Sequence, residues 1–137
     1  MRPTRLALLM PAVLLTAACG LQIASPDLFV LTRTGQGSKL TLLVNDSGTI
    51  RCNGGPAKML PDPLLLQARD LATSLDNDAI AKLHIPAPPD SVFSYSVTLQ
   101  NGTITFPDTA GAKRSELAQT EQFALQAAQN PCGIGSP

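Results

Sequence analysis

Two stretches of this chain carry hairpin patterning strong enough to dictate most of what it can fold into. Phe93, Tyr95, Val97 and Leu99 alternate with Ser94, Ser96 and Thr98, the period-two pattern of a strand with one buried face. Asn101-Gly102 then supplies the two residues of a type I′ turn, which pairs Gln100 with Thr103 and sets Leu99 opposite Ile104 and Val97 opposite Phe106. Earlier, Leu40, Leu42 and Val44 alternate ahead of Asn45-Asp46-Ser47-Gly48, a type I turn closed by a left-handed glycine with a G1 bulge. That turn pairs Asn45 with Thr49, Val44 with Ile50 and Leu42 with Cys52, so Cys52 points toward the core. Leu28 to Thr34 reads as a further strand, joined to Leu40 through Gly35-Gln36-Gly37.

Asp62 before Pro63 reads as an N-cap with proline at the first helical position. Leu64, Leu65, Ala68, Leu71, Ala72 and Leu75 then share one face, which gives a helix from Pro63 to about Leu75, resuming at Asp78 to Leu83. Ile85-Pro86-Ala87-Pro88-Pro89-Asp90 lacks the N–H donors for a helix and is a linker. A second helix from Ser115 to about Asn130 buries Leu117, Thr120, Phe123, Ala124 and Ala127 and stops at Pro131-Cys132-Gly133. The order is ββ(β)α-ββα. It implies an α+β domain, residues 27–137, with an antiparallel sheet of about five strands and two helices on one face. A chain of 137 residues holds one such core.

Residues 1–18 have the make-up of a secretory signal: positive Met1 to Arg5, apolar Leu6 to Leu15, then the small residues Thr16, Ala17 and Ala18. The apolar run covers roughly half of a ~30 Å hydrocarbon core and Pro11 interrupts it, so it is too short to remain as a membrane span. Leu15-Thr16-Ala17-Ala18-Cys19 resembles the lipobox of bacterial lipoproteins, although Thr16 stands where an apolar residue is more typical. The resemblance implies cleavage before Cys19 and acylation there with diacylglycerol and palmitate-like chains. At about 0.8 kcal/mol per buried CH₂, two or three chains hold a protein on a bilayer. Residues 19–26 would then be the lipidated cysteine and a tether reaching about 25 Å. The expected place is outside the cytoplasm, on the cell membrane, or on the outer membrane of a Gram-negative host.

Outside the cytoplasm disulfides persist, and Cys52 and Cys132 are the only cysteines besides Cys19. The pair would close a loop of about 80 residues, for which chain entropy allows on the order of 4 to 5 kcal/mol at most.

Groups for chemistry are few. Ten basic residues balance ten acidic ones and are scattered, unlike the clustered basic face of a nucleic-acid binder. His84 is the single histidine, so no two-His metal site can form, no Gly-x-Ser-x-Gly accompanies it, and it reads as structural. Asp76-Asn77-Asp78 resembles the opening of a calcium loop but lacks its glycine and closing glutamate, and reads as a helix break with Asp76 or Asp78 as N-cap. Glu116 and Glu121 read as part of a solvated helix face with Gln119, Gln122 and Gln126. Gly35-Gln36-Gly37 precedes a strand, so it is no phosphate cradle. Neither metal nor cofactor is expected.

Two stretches resemble emfourin-type inhibitors of thermolysin-like metallopeptidases. Arg33-Thr34-Gly35-Gln36-Gly37-Ser38-Lys39-Leu40 is similar to that family's first turn, without its glycine pair and following aromatic. Phe93-Ser94-Tyr95-Ser96-Val97-Thr98 with Asn101-Gly102 and Pro107-Asp108 is similar to its second hairpin. The resemblance implies occlusion of a protease cleft by an exposed loop.

The leading expectation is a lipid-anchored, non-enzymatic domain that binds a protein or envelope component. An emfourin-like inhibitor is the alternative, and a small hydrolase without a recognisable motif the third. Gly35, Gln36, Gly37 and Ser38 form the candidate contact loop, against a plain hairpin turn in which glycine only permits positive φ.

Overall fold

The computed structural model describes residues 27–135. Its six strands are β1 (Asp27–Gly35), β2 (Ser38–Asn45), β3 (Thr49–Cys52), β4 (Ala57–Met59), β5 (Ser94–Leu99) and β6 (Gly102–Pro107). They form one antiparallel sheet in the order β4-β3-β2-β1-β5-β6. Helices α1 (Asp62–Ser74), α2 (Asp76–Ile80) and α3 (Ser115–Gln129) and a 3₁₀ turn (Asp108–Ala112) complete this α+β domain. Among the described residues no helix is long and apolar enough to cross a membrane.

The alternation of the strands sorts the sheet into two faces. Phe29, Leu31, Leu42, Val44, Val97 and Ile104 are fully buried on the face that meets the helices. α3 presents Leu117, Phe123, Ala124 and Ala127 to them, and the Phe123 ring stands edge-on to Phe29 with centroids 5.6 Å apart. A ring buried like this contributes packing that truncation to alanine removes at a cost of about 3 to 5 kcal/mol. α1 buries Leu64, Ala68 and Leu71 as its apolar stripe requires.

The first hairpin registers hold: Asn45 pairs with Thr49, Val44 with Ile50 and Leu42 with Cys52, and Gly48 takes φ 97° after Ser47 N–H donates to Asn45 Oδ1 at 2.8 Å. The last hairpin is displaced. Leu99 pairs with Gly102, Val97 with Ile104 and Tyr95 with Phe106, so Gln100 and Asn101 form the loop. The displacement is two positions, which keeps every apolar residue on its face.

The sixth strand, β4, was not expected. It is three residues long and wholly exposed, and so carries no alternation of burial to read. α1 begins at Asp62 after Pro61, with no side-chain cap, in place of an Asp62 N-cap. α2 spans Asp76–Ile80, earlier than expected, because Lys82 at φ 53° turns the chain out of the helix. The proline-bearing segment then returns alongside β6. His84 bridges to Thr105 in parallel, the Ile85 N–H donates to the Thr105 carbonyl at 2.9 Å, and the Thr105 N–H donates to the Leu83 carbonyl at 3.0 Å. That strap closes the β6 edge of the sheet.

Candidate functional site

Residues 1–26, and with them the signal segment, Cys19 and the tether, lie outside the described residues. Cys52 leaves β3 toward the core side and Cys132 follows α3; they meet at disulfide distance, with Cα atoms 5.8 Å apart. The pair ties the last helix to the third strand.

Gly35 to Ser38 forms the β1–β2 turn, with Gly35 paired to Ser38. Gln36 at φ 51° and Gly37 at φ 71° are its two central residues, the type I′ geometry that suits strand twist. Ser38 Oγ donates to the Gly35 carbonyl at 3.0 Å. Turn chemistry therefore accounts for Gln36, Gly37 and Ser38. Gly35 has a different reason: a β-carbon there would stand 2.7 Å from Phe93 Cδ1 and closer still to the Val92 carbonyl oxygen. The turn thus sits on the 91–93 loop, where Val92 is 47% exposed.

Beneath that end of the sheet lies a buried polar group. Arg33 is buried on the helix face opposite Leu40 and Tyr95, with its guanidinium 4.9 Å above the centre of the Phe93 ring. A desolvated cation over an aromatic face is stabilised by the ring quadrupole. Asp108 holds the 91–93 loop by accepting from Ser91 Oγ at 2.9 Å and the Phe93 N–H at 3.1 Å. Burial works to raise the Asp108 pKa, but the Ser91 hydroxyl and the N–H groups of Phe93, Val92 and Thr109 outweigh it and hold the carboxyl below its ordinary value. Burial, then the nearby Glu121 carboxylate, push the Tyr95 hydroxyl up, against the pull of Arg33.

Glu121 departs from the expected solvated face. Among the described residues its Oε1 is buried with no hydrogen-bond partner, and burial, with the Asp108 carboxylate, raises its pKa to about 7 despite the Gly111 N–H. The signal was present in the sequence: Glu121 stands four residues after Leu117 and three before Ala124, on the buried stripe. Glu116 instead accepts from Arg114 Nε at 2.7 Å. Nor do Asp76 and Asp78 act as caps: Asp76 accepts from Asn101 Nδ2 at 2.8 Å, and Asp78 accepts from Arg114 Nη2 through both oxygens at 2.9 Å. The two carboxylates are thus spoken for by different partners.

Among the described residues no helix covers the opposite face of the sheet. Cross-strand pairing sets out its side chains in rows: Thr41, Thr32, Ser96 and Thr105 in one, and Lys39, Thr34, Ser94 and Pro107 in the next. A third runs Arg51, Leu43, Val30, Thr98 and Thr103, where the Thr98 and Thr103 hydroxyls bond each other at 3.0 Å. Asp27 at the start of β1 is the one carboxylate in the six strands, and it accepts from Asn45 Nδ2 at 2.9 Å; the other acids lie in helices and loops. His84 Nδ1 bonds Thr105 Oγ1, so His84 does have a structural partner, but it also stands at the rim of a groove of about 290 Å³ between the strap and this face. Sequence reasoning missed the surface because no strand shows more than three Ser or Thr hydroxyls, and register assembles them.

Compared with protein-family models, with curated proteins and with solved structures, the chain finds no match.

Proposed function

We propose that the chain is a lipid-anchored, non-enzymatic binding domain of the bacterial envelope that meets its partner with the bare face of the sheet. The contrast between the two faces carries this reading. A face needed only for solubility is served by interspersed charges of both signs. This one holds Ser, Thr and Leu around a buried Val30, with Lys39 and Arg51 at its margins and, among the described residues, no carboxylate beyond Asp27 at one end. The lipobox-like run ending at Cys19 supports the anchor. In growing bacteria the protein is expected to take up labelled palmitate, and Cys19→Ala to abolish the label and leave the precursor uncleaved; label persisting in the variant overturns the anchor. For the face, purified full chain in detergent should be retained by detergent-extracted envelope fragments. Thr41→Glu, which places a carboxylate in mid-face, should release it, while Gln122→Glu on α3 should not. Equal retention of both variants overturns the face.

A second reading has one observation in its favour. The two stretches that resemble emfourins meet in space, Gly35 against Val92 and Phe93, and Arg33 over the Phe93 ring. Under this reading the turn at Gln36 with exposed Val92 enters a thermolysin-like protease. Inhibition that Gln36→Ala with Ser38→Ala weakens would support it, and a protease left fully active by a molar excess of the protein would overturn it.

A further inference from the structure

We infer that the groove between the strap and the open sheet face is a binding site for an uncharged sugar ring. The inference rests on the binding reading above, but not on the lipid anchor.

Thr32, Thr34, Ser94 and Ser96 floor the groove, and their hydroxyls have no hydrogen-bond partner among the described residues. Thr32 faces Ser96 and Thr34 faces Ser94 across the β1–β5 ladder. Strand spacing near 4.8 Å and a rise near 3.4 Å per residue make these four a grid of about 4.8 by 6.8 Å, the size of one pyranose ring with its substituents. Each hydroxyl both donates and accepts and rotates to suit, as sugar hydroxyls do. Thr105 Oγ1 occupies His84 Nδ1, so Nε2 is the ring nitrogen left for a ligand. Ile85, Ala87 and Pro107 supply apolar wall for the C–H face of a sugar.

Other occupants fit less well. A charged ligand in so shallow a site needs a fixed counter-charge, and among the described residues neither a carboxylate nor a Lys or Arg lines the groove. An extended peptide binds a sheet by adding a strand, but β1 and β5 are paired on both sides and the Leu83–Ile85 segment closes the β6 edge. Recognition must therefore go through the hydroxyls. At about 290 Å³ the groove takes one ring of a longer glycan, with the rest lying along the Thr41 side of the row.

The test is titration of the purified full chain, in a detergent without a sugar head group, with tri-N-acetylchitotriose, cellotriose and maltotriose. Polygalacturonate and a proline-rich peptide serve as comparisons. At least one neutral trisaccharide should shift the His84 ring resonances and bind with a Kd of about 0.1 to 1 mM. Thr32→Val with Ser96→Ala removes two hydroxyls while keeping β propensity, and should weaken binding about tenfold or more with the melting temperature retained. Thr34→Val, at an exposed position, does the same singly if the double variant fails to fold. No binding of any neutral trisaccharide up to about 10 mM, binding indifferent to these variants, or binding of the polyuronate or peptide alone overturns the inference. Envelope retention that Thr41→Glu abolishes, without sugar binding, removes the groove and leaves the face; retention indifferent to Thr41→Glu removes the face itself.

Discussion

Gly102 packs against the main chain of Ala79, so that a β-carbon on Gly102 would stand 2.9 Å from the Ala79 carbonyl carbon and closer still to its oxygen. α2 therefore reaches β6 only because residue 102 is glycine. Gly102→Ala should force helix and strand apart and cost about 1 to 3 kcal/mol, as overpacking does. The check is urea denaturation, with Gly37→Ala as the companion, since a β-carbon on Gly37 meets nothing within 4 Å and there only the φ of 71° resists.

The same contact explains what could be read from sequence and what could not. Asn101-Gly102 has the residues of a type I′ loop, but tertiary packing claims Gly102 for β6 and moves the loop to Gln100-Asn101. At Asn45 to Gly48 the tertiary contacts, from Arg69 to Asp46 and from Leu60 to Gly48, leave the turn in place: Asn45 Oδ1 and the φ of Gly48 satisfy it locally, and the register follows from the residues. α3 was legible because Leu117, Phe123, Ala124 and Ala127 repeat at helical spacing over four turns. β4 was not legible, having neither length nor burial. The bare face was hidden for a different reason: Thr32, Ser96 and Thr105 are far apart in the chain, and only the β1–β5–β6 pairing brings them into line.

The Cys52–Cys132 pair closes a separation of 80 residues. Denatured, unreduced mature protein should titrate with no free thiol at these positions. Reduction should lower stability by an amount up to about 4 to 5 kcal/mol. Two free thiols in the unreduced protein would contradict the bridge.

Glu121 contributes stability on the acid side. Its pKa rises from 4.5 to about 7 on folding, so the native state binds the extra proton between those values. Stability is therefore full below the unfolded value and falls as pH rises through about 7. Asp108 works the other way: its carboxyl is lowered on folding, and its contribution is lost as pH falls below the ordinary carboxylate range. Glu121→Gln should flatten the fall between pH 5 and 8 and stabilise the protein at pH 8 by roughly 1 kcal/mol, solvent screening discounting the full shift. Melting curves of both proteins across that range decide it; an unchanged pH profile would mean that Glu121 stays ionised in the fold.

The claim that the bare sheet face is the one covered in the cell is tested most directly by thiol labelling at two exposed positions, Thr34→Cys in the groove and Gln122→Cys on α3. In purified protein both should react with a maleimide at comparable rates, because both are open to solvent. In intact envelopes the Cys at 34 should be protected several-fold while the Cys at 122 still reacts. Equal labelling of the two in envelopes, at the rates seen in purified protein, would contradict the account.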